Sequence, residues 1–401
     1  MSKRPDTRSS KQSSGSHARG SSQAEASSPS DSDPTRNTEG SAWERPGKPL
    51  DPGKLSPDIL ERLLAPAEEA AHGSLSPGII VGPGMGLDGA VLDLRIPVDP
   101  EGGEEGGEEG APPSFLVAAS DPITFAAEEI GWYAVHVNAN DVVCMGALPR
   151  WFVATILLPE GAREEDAAGV FQEIHRGCRQ VGATLVGGHT EVTPGLHRPI
   201  LVGTMLGVTN RWISAAGARP GDTLLLTKGA GIEGTSILAR EARDRLAGKV
   251  EDHVVDRARD FLHDPGISVV PEAGILREVG TVHAFHDPTE GGVAGGIHEL
   301  CQASGTGARI RLEAIPVFQE TRKLAAVFDI DPMGLMGSGA LLVAAPPEDA
   351  RAMVEALRSE SIPAVPIGTV EEEEVGVVAV ENGEEQPLRR FVSDELTRVL
   401  S

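Results

Sequence analysis

Residues 138–149 read NANDVVCMGALP, and this pattern predicts the end of a helix followed by a turn. In helical geometry the neighbours of Asp141 are apolar: Val137, Cys144 and Met145. A carboxylate on an apolar face is unfavourable unless it is paired or binds a cation. Two interpretations are open at this point, a metal–phosphate site and a surface helix that carries one ordinary Asp.

Three further stretches favour the metal–phosphate interpretation. Residues 120–122 read SDP and end an apolar run, residues 82–91 read GPGMGLDGAV, and residues 187–191 read GGHTE after another apolar run. Mg²⁺ prefers hard oxygen ligands, usually one or two carboxylates together with phosphates and water. Glycine lets backbone N–H groups approach phosphate oxygens closely. The stretches together therefore predict a magnesium–nucleotide site.

The order and the residues of these segments resemble those of the aminoimidazole ribonucleotide (AIR) synthase-related ATP-binding proteins. Within that family they are most similar to the hydrogenase expression/formation proteins, which are carbamoyl dehydratases. The likeness is carried by residues 118–161, by the DPTEGGVA stretch at 287–294, which is similar to the family's DPTRGG segment, and by residues 330–343. It spans about residues 50 to 375.

The alternation of helical and strand patterns indicates an α/β or α+β protein. Strands are predicted at 115–120, 151–158, 184–187, 199–208, 222–227, 281–286, 309–315, 340–345 and 363–369, and helices at 126–147, 163–181, 233–247, 267–278, 292–304, 317–327 and 348–359. The resemblance adds two domains. One is an N-terminal domain of sheet and helices that forms a shared barrel in a homodimer, and the other is a C-terminal α/β sandwich.

The predicted boundaries follow shifts in composition. They are a disordered Ser-rich tail at 1–47, an ATP-binding domain at 48–210, a C-terminal domain at 211–380 and a tail at 381–401. The tail at 1–47 lacks the apolar residues that would offset its ordering entropy. Residues 99–113 form an acidic, glycine-rich insertion that we expect to be a solvated loop between two strands.

The resemblance implies that ATP and Mg²⁺ bind between the loops described above. The family chemistry transfers phosphate to an amide-like or phosphate oxygen of a small substrate. The implied metal ligands are Asp88, Asp121 and Asp141. The implied cofactor-binding residues are Gly84, Gly86, Asp88, Asn140, Gly187, Gly188 and Thr190, and the implied catalytic residues are Asp287 and His189.

A third glycine-rich stretch, KGAGIEGT at residues 228–235, lies between a strand pattern and a helix pattern. Its N–H groups are suited to an anion, and Lys228 would add a positive charge. A plain strand–helix turn is an equally open interpretation. The loop is not a Walker A motif, because the Gly-Lys-Ser/Thr order is absent.

The sequence departs from the family pattern at several positions. His189 and Ser338 stand where acidic residues are usual, and Glu290 replaces the usual Arg. Leu87 stands where several relatives carry the first of two adjacent Asp residues. No cysteine follows Cys301 in this sequence, whereas the dehydratases end in a cysteine that accepts the carbamoyl group. Without that thiol, we do not expect the dehydration to proceed in the family's manner.

These departures keep two alternatives open. One is a small-molecule kinase similar to thiamine-monophosphate kinase. The other is a non-enzymatic accessory protein that binds nucleotide and a maturation partner protein.

Amino-acid composition excludes several classes of protein function and location. The formal net charge of −25 and the pI near 4.8 argue against binding to nucleic acid or to anionic membranes. No run of about 18 apolar residues is present, so no transmembrane helix is expected. The three cysteines form no CxxC pair, which fits a reduced cytoplasm. We expect Cys178 and Cys301 to be small core residues, and burial is also the favoured interpretation of Cys144.

Overall fold

The computed structural model describes residues 79–81, 87, 89–94 and 115–400. The predicted tail at 1–47 and the predicted insertion at 99–113 lie outside these residues. The predicted domain boundaries stay predictions, although the described strands fall into two separate sheets.

The first sheet is built from residues of the N-terminal half. Its strands are β1 (Ile79–Val81), β2 (Ala90–Asp93), β3 (Phe115–Ala119), β4 (Pro122–Ile123), β5 (Leu148–Leu158), β6 (Thr184–Val192) and β7 (Ile200–Thr209). The order is β1-β2-β3-β7-β5-β6, with β4 also paired to β7. Strands β5 and β6 run parallel and the other neighbours antiparallel. Strand β6 is therefore an edge strand.

The second sheet is built from the C-terminal half. Its strands are β8 (Thr223–Thr227), β9 (Ala284–His286), β10 (Gly307–Arg311), β11 (Leu342–Ala345), β12 (Ala364–Glu371), β13 (Val377–Glu381) and β14 (Glu384–Pro387). The order is β14-β13-β10-β12-β8-β11-β9, and all neighbours are antiparallel except β10 and β13. This mixed architecture confirms the predicted fold class.

Ten α-helices occur within the described residues. They are α1 (Ile130–Cys144), α2 (Glu164–Val181), α3 (Ile232–Glu241), α4 (Arg243–Leu246), α5 (Asp252–Asp260), α6 (Val270–Val279), α7 (Gly292–Ser304), α8 (Gln319–Phe328), α9 (Pro347–Ser359) and α10 (Thr397–Leu400). None of the described helices is long and apolar enough to cross a membrane.

Helix α1 is buried along its whole length, which makes the surface-helix interpretation of Asp141 wrong. It packs against α2, α6 and strands β3, β5 and β7. The helix ends because Gly146 adopts a left-handed conformation with φ of 75°. A Cβ atom at Gly146 would lie 2.9 Å from the backbone nitrogen of Ile213, so only glycine fits there.

The largest cluster of buried apolar side chains crosses from one half of the described chain to the other. It joins α1 to α3, and a hydrogen bond from the Tyr133 hydroxyl to the Ser236 hydroxyl, 3.2 Å long, connects the same two helices. Shared apolar burial of this kind holds the two halves in a fixed relation. Any cavity between them is consequently a defined feature of the fold.

Local predictions differ from the structure in several places. The predicted loop at Gly187–Glu191 is instead part of β6, where His189 pairs with Thr155 of β5. Ladder pairing overrides the turn preference of glycine there, and a Cβ atom at Gly188 would clash with the Ala154 carbonyl. The predicted helix at 126–147 begins only at Ile130. Helices α5 and α10 and strands β1, β4, β13 and β14 were not predicted.

All three cysteines are buried and free of disulfides. Burial raises the pKa of the Cys178 and Cys301 thiols to about 11, which confirms their predicted role as small core residues. Cys144 is also buried, as expected.

Candidate functional site

A cavity of about 560 Å³ opens between the two halves of the described chain. The N-terminal half contributes residues 121–126, Val137 and Arg198, and the C-terminal half contributes Glu233, Ile237, Thr289, Glu290, Met336 and Ser338. Its size is typical of small-molecule sites, and it combines apolar walls with a few charged groups.

Asp121 is the predicted metal ligand that lines this cavity. Its backbone is fixed by Asn138 of α1, whose Oδ1 atom accepts from the Asp121 N–H at 2.8 Å. The Asn138 Nδ2 atom donates to the Asp121 carbonyl at 3.2 Å, and the Gly203 N–H donates to the same carbonyl at 3.0 Å. These bonds fix the turn between β3 and β4, so the Asp121 side chain is presented to the cavity from a rigid backbone.

Two residues of the DPTEGG segment, Thr289 and Glu290, lie on the opposite wall. The chain turns sharply after them, because Gly291 and Gly292 both have positive φ. A Cβ atom at Gly292 would lie 2.5 Å from the Met333 carbonyl, which explains glycine at that position. The replacement of the family's Arg by Glu290 therefore changes the charge of the cavity wall itself.

Glu233 is a cavity residue that sequence analysis missed. It lies in the first turn of α3, is only 4% exposed, and shares the wall with Ser338. Burial raises the pKa of Glu233 to about 8; the Ser338 hydroxyl lowers it in part, and Glu290, Asp394 and Asp121 raise it further. The available signal was an acidic residue in the first turn of a predicted helix, directly after a glycine-rich loop.

Lys228 does not face the cavity. Its Nζ atom lies 2.7 Å from the Glu272 carboxylate and donates to the carbonyls of Gly266 and Ser268. Both charged side chains of the pair are almost fully buried. Lys228 is therefore not available as a phosphate ligand, because its ammonium group is already paired inside the protein. Anion binding by the N–H groups of the loop stays a prediction.

The predicted residues Asp141 and Asp287 are both buried and lie outside the described cavity lining. Cys144 connects the two segments that carry them, because its Sγ atom donates to the Asp287 Oδ1 atom at 3.5 Å. The structure therefore brings the end of α1 next to the start of the DPTEGG segment, which are far apart in sequence. Metal binding by Asp141 stays a prediction, and so does the action of Asp287 on a substrate.

The side-chain amide of Asn140 forms hydrogen bonds to the protein's own backbone. Its Nδ2 atom donates to the Ile267 carbonyl at 2.8 Å, and its Oδ1 atom accepts from the Val269 N–H at 2.9 Å. Both ends of the amide thus hold the backbone that leads into α6. A cofactor contact by Asn140 stays a prediction.

The predicted residues Gly187, Gly188, His189 and Thr190 lie on the exposed edge strand β6. The His189 Nε2 atom lies 3.0 Å from the Glu191 carboxylate, and the imidazole is 65% exposed. None of these residues is among those described as lining the cavity. A site that includes them needs a second surface to cover this edge.

The remaining predicted residues, Gly84, Gly86 and Asp88, lie outside the described part of the chain. Within the described part, no cluster of three or more His, Cys, Asp or Glu side chains is arranged to hold a metal ion. The predicted ligand set includes Asp88, so it stays a prediction. Carboxylate oxygens at Asp121 and Glu290 are nevertheless the donors that Mg²⁺ prefers.

Two domain patterns match the chain over most of its described length. The N-terminal domain of AIR synthase related proteins matches residues 114–209, and the C-terminal domain matches residues 219–381. The chain belongs to the AIR synthase-related protein family. The cavity lies between the two matched regions of this family member and takes its walls from both.

The relatives include hydrogenase maturation proteins. Carbamoyl dehydratase HypE from Azotobacter vinelandii is 31% identical over 281 residues, which cover 67% of this chain and 79% of that protein. A crystal structure of hydrogenase maturation protein HypE in complex with ATP superimposes with a TM-score of 0.58 at 27% identity, covering 71% of this chain and 87% of that one.

Two other similar structures establish the fold alone because their identities are low. The HypE–HypF complex matches with a TM-score of 0.59 at 23% identity, covering 69% of this chain and 90% of that one. Thiamine monophosphate kinase from Aquifex aeolicus matches with a TM-score of 0.54 at 20% identity, covering 68% of this chain and 90% of that one. The resemblance to the hydrogenase expression/formation branch is confirmed at the family level.

Proposed function

We propose that this protein is an ATP- and Mg²⁺-dependent enzyme that phosphorylates an amide-like or phosphate oxygen of a small substrate held in the cavity between its two halves. The observation that carries the proposal is the cavity itself. It has the volume of a small-molecule site and contains Asp121 on a backbone fixed by Asn138. The ATP complex of the similar HypE structure supports the choice of nucleotide.

Asp121 and Asp141 would hold Mg²⁺, together with Asp88 from the glycine-rich segment. The bound ion would neutralise charge on the phosphoryl group, whose transfer depends mainly on positioning and electrostatics. The protein's own contribution is to fix these carboxylates on rigid backbone and to exclude water with the apolar walls of the cavity. Asp287 would orient the substrate or hold a proton. His189 could take either role only if a second surface covers β6 and encloses its imidazole.

We also propose two partners. A homodimer formed through the first sheet would cover β6, whose side chains are exposed in the single chain. A maturation partner protein is suggested by the HypE–HypF complex among the similar structures. The accessory-protein alternative shares this partner and differs in lacking ATP turnover.

The first test is titration of the purified protein with ATP, with and without Mg²⁺, followed by a measurement of ADP release. Binding that depends on Mg²⁺, followed by slow hydrolysis, supports the proposal. Binding of ATP without hydrolysis would favour the accessory-protein alternative, and the absence of ATP binding under either condition would refute the nucleotide-binding proposal.

Two variants test the proposed metal ligands. We expect Asp121→Asn and Asp141→Asn each to reduce ATP turnover by about 100-fold or more, since a charge that stabilises the transition state is removed. Circular dichroism and thermal unfolding establish that each variant is folded. Asp244→Asn, at an exposed position on α4, is the matched control and should turn over ATP like the wild type. Wild-type turnover in Asp121→Asn or Asp141→Asn would refute the metal role of that residue.

A further inference from the structure

A second cavity, of about 390 Å³, lies beside the chain that connects β7 to β8, and we call it the linker cavity. Its described lining comes from that connection, from Ile80, Val81 and Leu87 near the start of the first sheet, and from Val282 and His283 just before β9. It shares no described lining residue with the cavity between the two halves. A ligand bound in the linker cavity would therefore occupy a separate site.

The imidazole of His283 is held in this wall by an acid. Its Nδ1 atom lies 2.9 Å from Oδ1 and 3.0 Å from Oδ2 of Asp222, whose side chain is almost fully buried. Oδ2 of Asp222 also accepts from the Arg219 N–H at 2.9 Å, which fixes the carboxylate. Because an ionised carboxylate only accepts, Nδ1 carries the hydrogen that it shares with Asp222. Asp222 is not among the described lining residues, so Nε2, at the opposite edge of the ring, is the nitrogen available to the linker cavity.

Two arginines give one side of the linker cavity a positive charge. Arg211 belongs to the lining and is exposed. Burial lowers the pKa of Arg277, on α6, and the charge of Arg211 lowers it further, so the two guanidinium groups lie near each other. Glu278 offsets part of this effect, yet no salt bridge among the described residues joins an acid to either arginine. In a chain with a formal net charge of −25, such a local excess of positive charge favours an anion.

Most of the remaining described walls of the linker cavity are apolar. Leu87, Ile213 and Val282 belong to them. Trp212 and Ile80 also line the cavity, and both are partly exposed to solvent although they are large and apolar. A cavity of a few hundred Å³ that combines apolar walls with a few polar groups is typical of small-molecule sites. The indole of Trp212 offers a flat surface against which an aromatic ring can pack.

We propose that the linker cavity binds an organic anion, a carboxylate or a phosphate monoester, whose flat apolar body packs against Trp212. The charged group meets the guanidinium of Arg211, whose planar donors suit carboxylate and phosphate oxygens, and the Nε2 edge of His283. An inorganic anion would leave the apolar walls unused, and an uncharged molecule would leave the positive charge unmatched. This site goes beyond the proposed function and does not depend on it.

The probes are benzoate, phenyl phosphate, benzyl alcohol, benzylamine and acetate. Each is titrated calorimetrically into the full-length protein at constant ionic strength, without ATP and Mg²⁺. We expect benzoate or phenyl phosphate to bind at least about tenfold more tightly than benzyl alcohol, equivalent to about 1.4 kcal/mol, and benzylamine to bind more weakly still. Acetate, which lacks the ring, should bind at least about tenfold more weakly than benzoate. The tighter of the two aromatic anions identifies the charged group.

Two results of these titrations would overturn the proposal. One is equal affinity for benzyl alcohol and both aromatic anions, because the positive charge would then contribute nothing. The other is equal affinity for acetate and benzoate, because the apolar walls would then contribute nothing.

Two variants locate the charged group of the ligand. Arg211→Gln removes the guanidinium, and we expect it to reduce the preference for the anion over benzyl alcohol to about threefold or less. His283→Asn keeps an N–H donor toward Asp222 but removes the Nε2 edge, so it should weaken anion binding by about tenfold. Arg358→Gln, at an exposed position on α9, is the matched control and should behave as the wild type.

Thermal unfolding establishes that each variant is folded. Arg211 is exposed, so Arg211→Gln tests the proposal even if His283→Asn does not fold. A full preference for the anion in folded Arg211→Gln would show that the anion binds elsewhere and would contradict the proposal.

Tryptophan fluorescence gives an independent readout of position. Trp212 is 38% exposed and lines the linker cavity, whereas Trp151, on β5, is 41% exposed and is not among its described lining residues. Binding of the aromatic anion should change the indole emission of the wild type and of Trp151→Phe. The change should be absent in Trp212→Phe, which keeps an aromatic ring and should still bind within about threefold of the wild type in calorimetry. An unchanged fluorescence response in Trp212→Phe would refute contact between the ligand and Trp212.

These experiments separate this inference from the proposed function. Because the titrations contain no nucleotide, binding of the aromatic anion supports the inference even where ATP turnover is absent and the proposed function fails. Turnover of ATP without any preference for anions supports the proposed function and overturns the inference. Asp121→Asn, which changes the other cavity, should bind the anion like the wild type. A loss of anion binding in folded Asp121→Asn would place the anion in the cavity between the two halves and would contradict the proposal.

Discussion

Glu272 and Glu233 are both glutamates in the first turn of a helix in the C-terminal half, and both are almost completely buried. Glu272 lies 2.7 Å from the ammonium group of Lys228, which also donates to two backbone carbonyls. Glu233 has no basic partner within the described residues and faces a cavity. One carboxyl group is therefore part of the internal structure, and the other is available to a ligand.

The difference shows that burial alone does not indicate function. A buried acid with a counter-ion contributes to the arrangement of the core, and removing either member leaves an uncompensated charge. A buried acid without a counter-ion keeps its proton and changes state when a cation arrives. Sequence patterns do not distinguish the two cases, because the partner of Glu272 is 44 positions away in the chain.

The largest expected effect is on the paired region. Lys228→Met leaves the Glu272 carboxylate buried without a counter-ion, and we expect the free energy of unfolding to fall by about 3–5 kcal/mol. Chemical denaturation measures this loss. The double variant Lys228→Met with Glu272→Leu should recover most of it, because no unpaired charge remains.

The control for this prediction is an exposed pair. Lys323 lies 3.0 Å from Glu251, whose side chain is largely exposed. We expect Lys323→Met to lower the free energy of unfolding by less than about 1 kcal/mol. A similar loss of unfolding free energy in Lys323→Met and Lys228→Met would show that the burial of the Lys228–Glu272 pair does not determine its contribution to stability.

A smaller effect is expected at the support of the paired region. Asn140 holds Ile267 and Val269, on either side of the Ser268 carbonyl that accepts from Lys228. Asn140→Ala leaves a buried N–H and a buried carbonyl without partners, so we expect a loss of about 2 kcal/mol in unfolding free energy. Asn210→Ala, at an exposed position, should change stability by less than about 0.5 kcal/mol. Equal stability of the two variants would rule out the structural role of Asn140.

The last effect concerns the unpaired acid and depends on pH. The pKa of Glu233 is about 8 in the folded protein and near 4.5 in the unfolded chain, so the folded state binds more protons between these values. The free energy of unfolding should therefore fall as pH rises through this window, by up to about 1.4 kcal/mol per pH unit from this group.

Glu233→Gln removes this contribution. We expect the variant to match the wild type near pH 4.5 and to be the more stable of the two near pH 8, as measured by denaturation at a series of pH values. Asp244→Asn, which is exposed, should retain the wild-type pH dependence. Parallel stability profiles for the wild type and Glu233→Gln would contradict the raised pKa.

Much of the fold was accessible from sequence. The predicted strands of both sheets and most of the predicted helices are confirmed, because long apolar periods report local geometry directly. Helix α5 was missed because its residues are mainly charged, with only a short apolar stripe at Val254, Val255 and Ala258. The loop predicted at 187–191 was wrong because strand pairing, a contact distant in sequence, overrode the preference of glycine.

The candidate site was accessible only in part. The sequence indicated Asp121, which lines the cavity, and it indicated that Asp141 lies in apolar surroundings, which its burial confirms. It did not indicate Glu233, Arg198 or Asp394. These residues come from helix, loop and C-terminal segments that meet only after the two halves pack together, so no local spacing reports their proximity.

The sequence by itself determined the family, the fold class and the segments that carry acidic and glycine-rich motifs, because short-range order in the chain encodes strand, turn and helix. Only the tertiary structure decided which buried acids have partners. The sequence left open whether Lys228 contacts phosphate, and packing pairs it with Glu272. The sequence did not single out Glu233, and packing places it at the cavity wall. Electrostatic energy depends on distance in space and on access to water, and neither is a property of position in the chain.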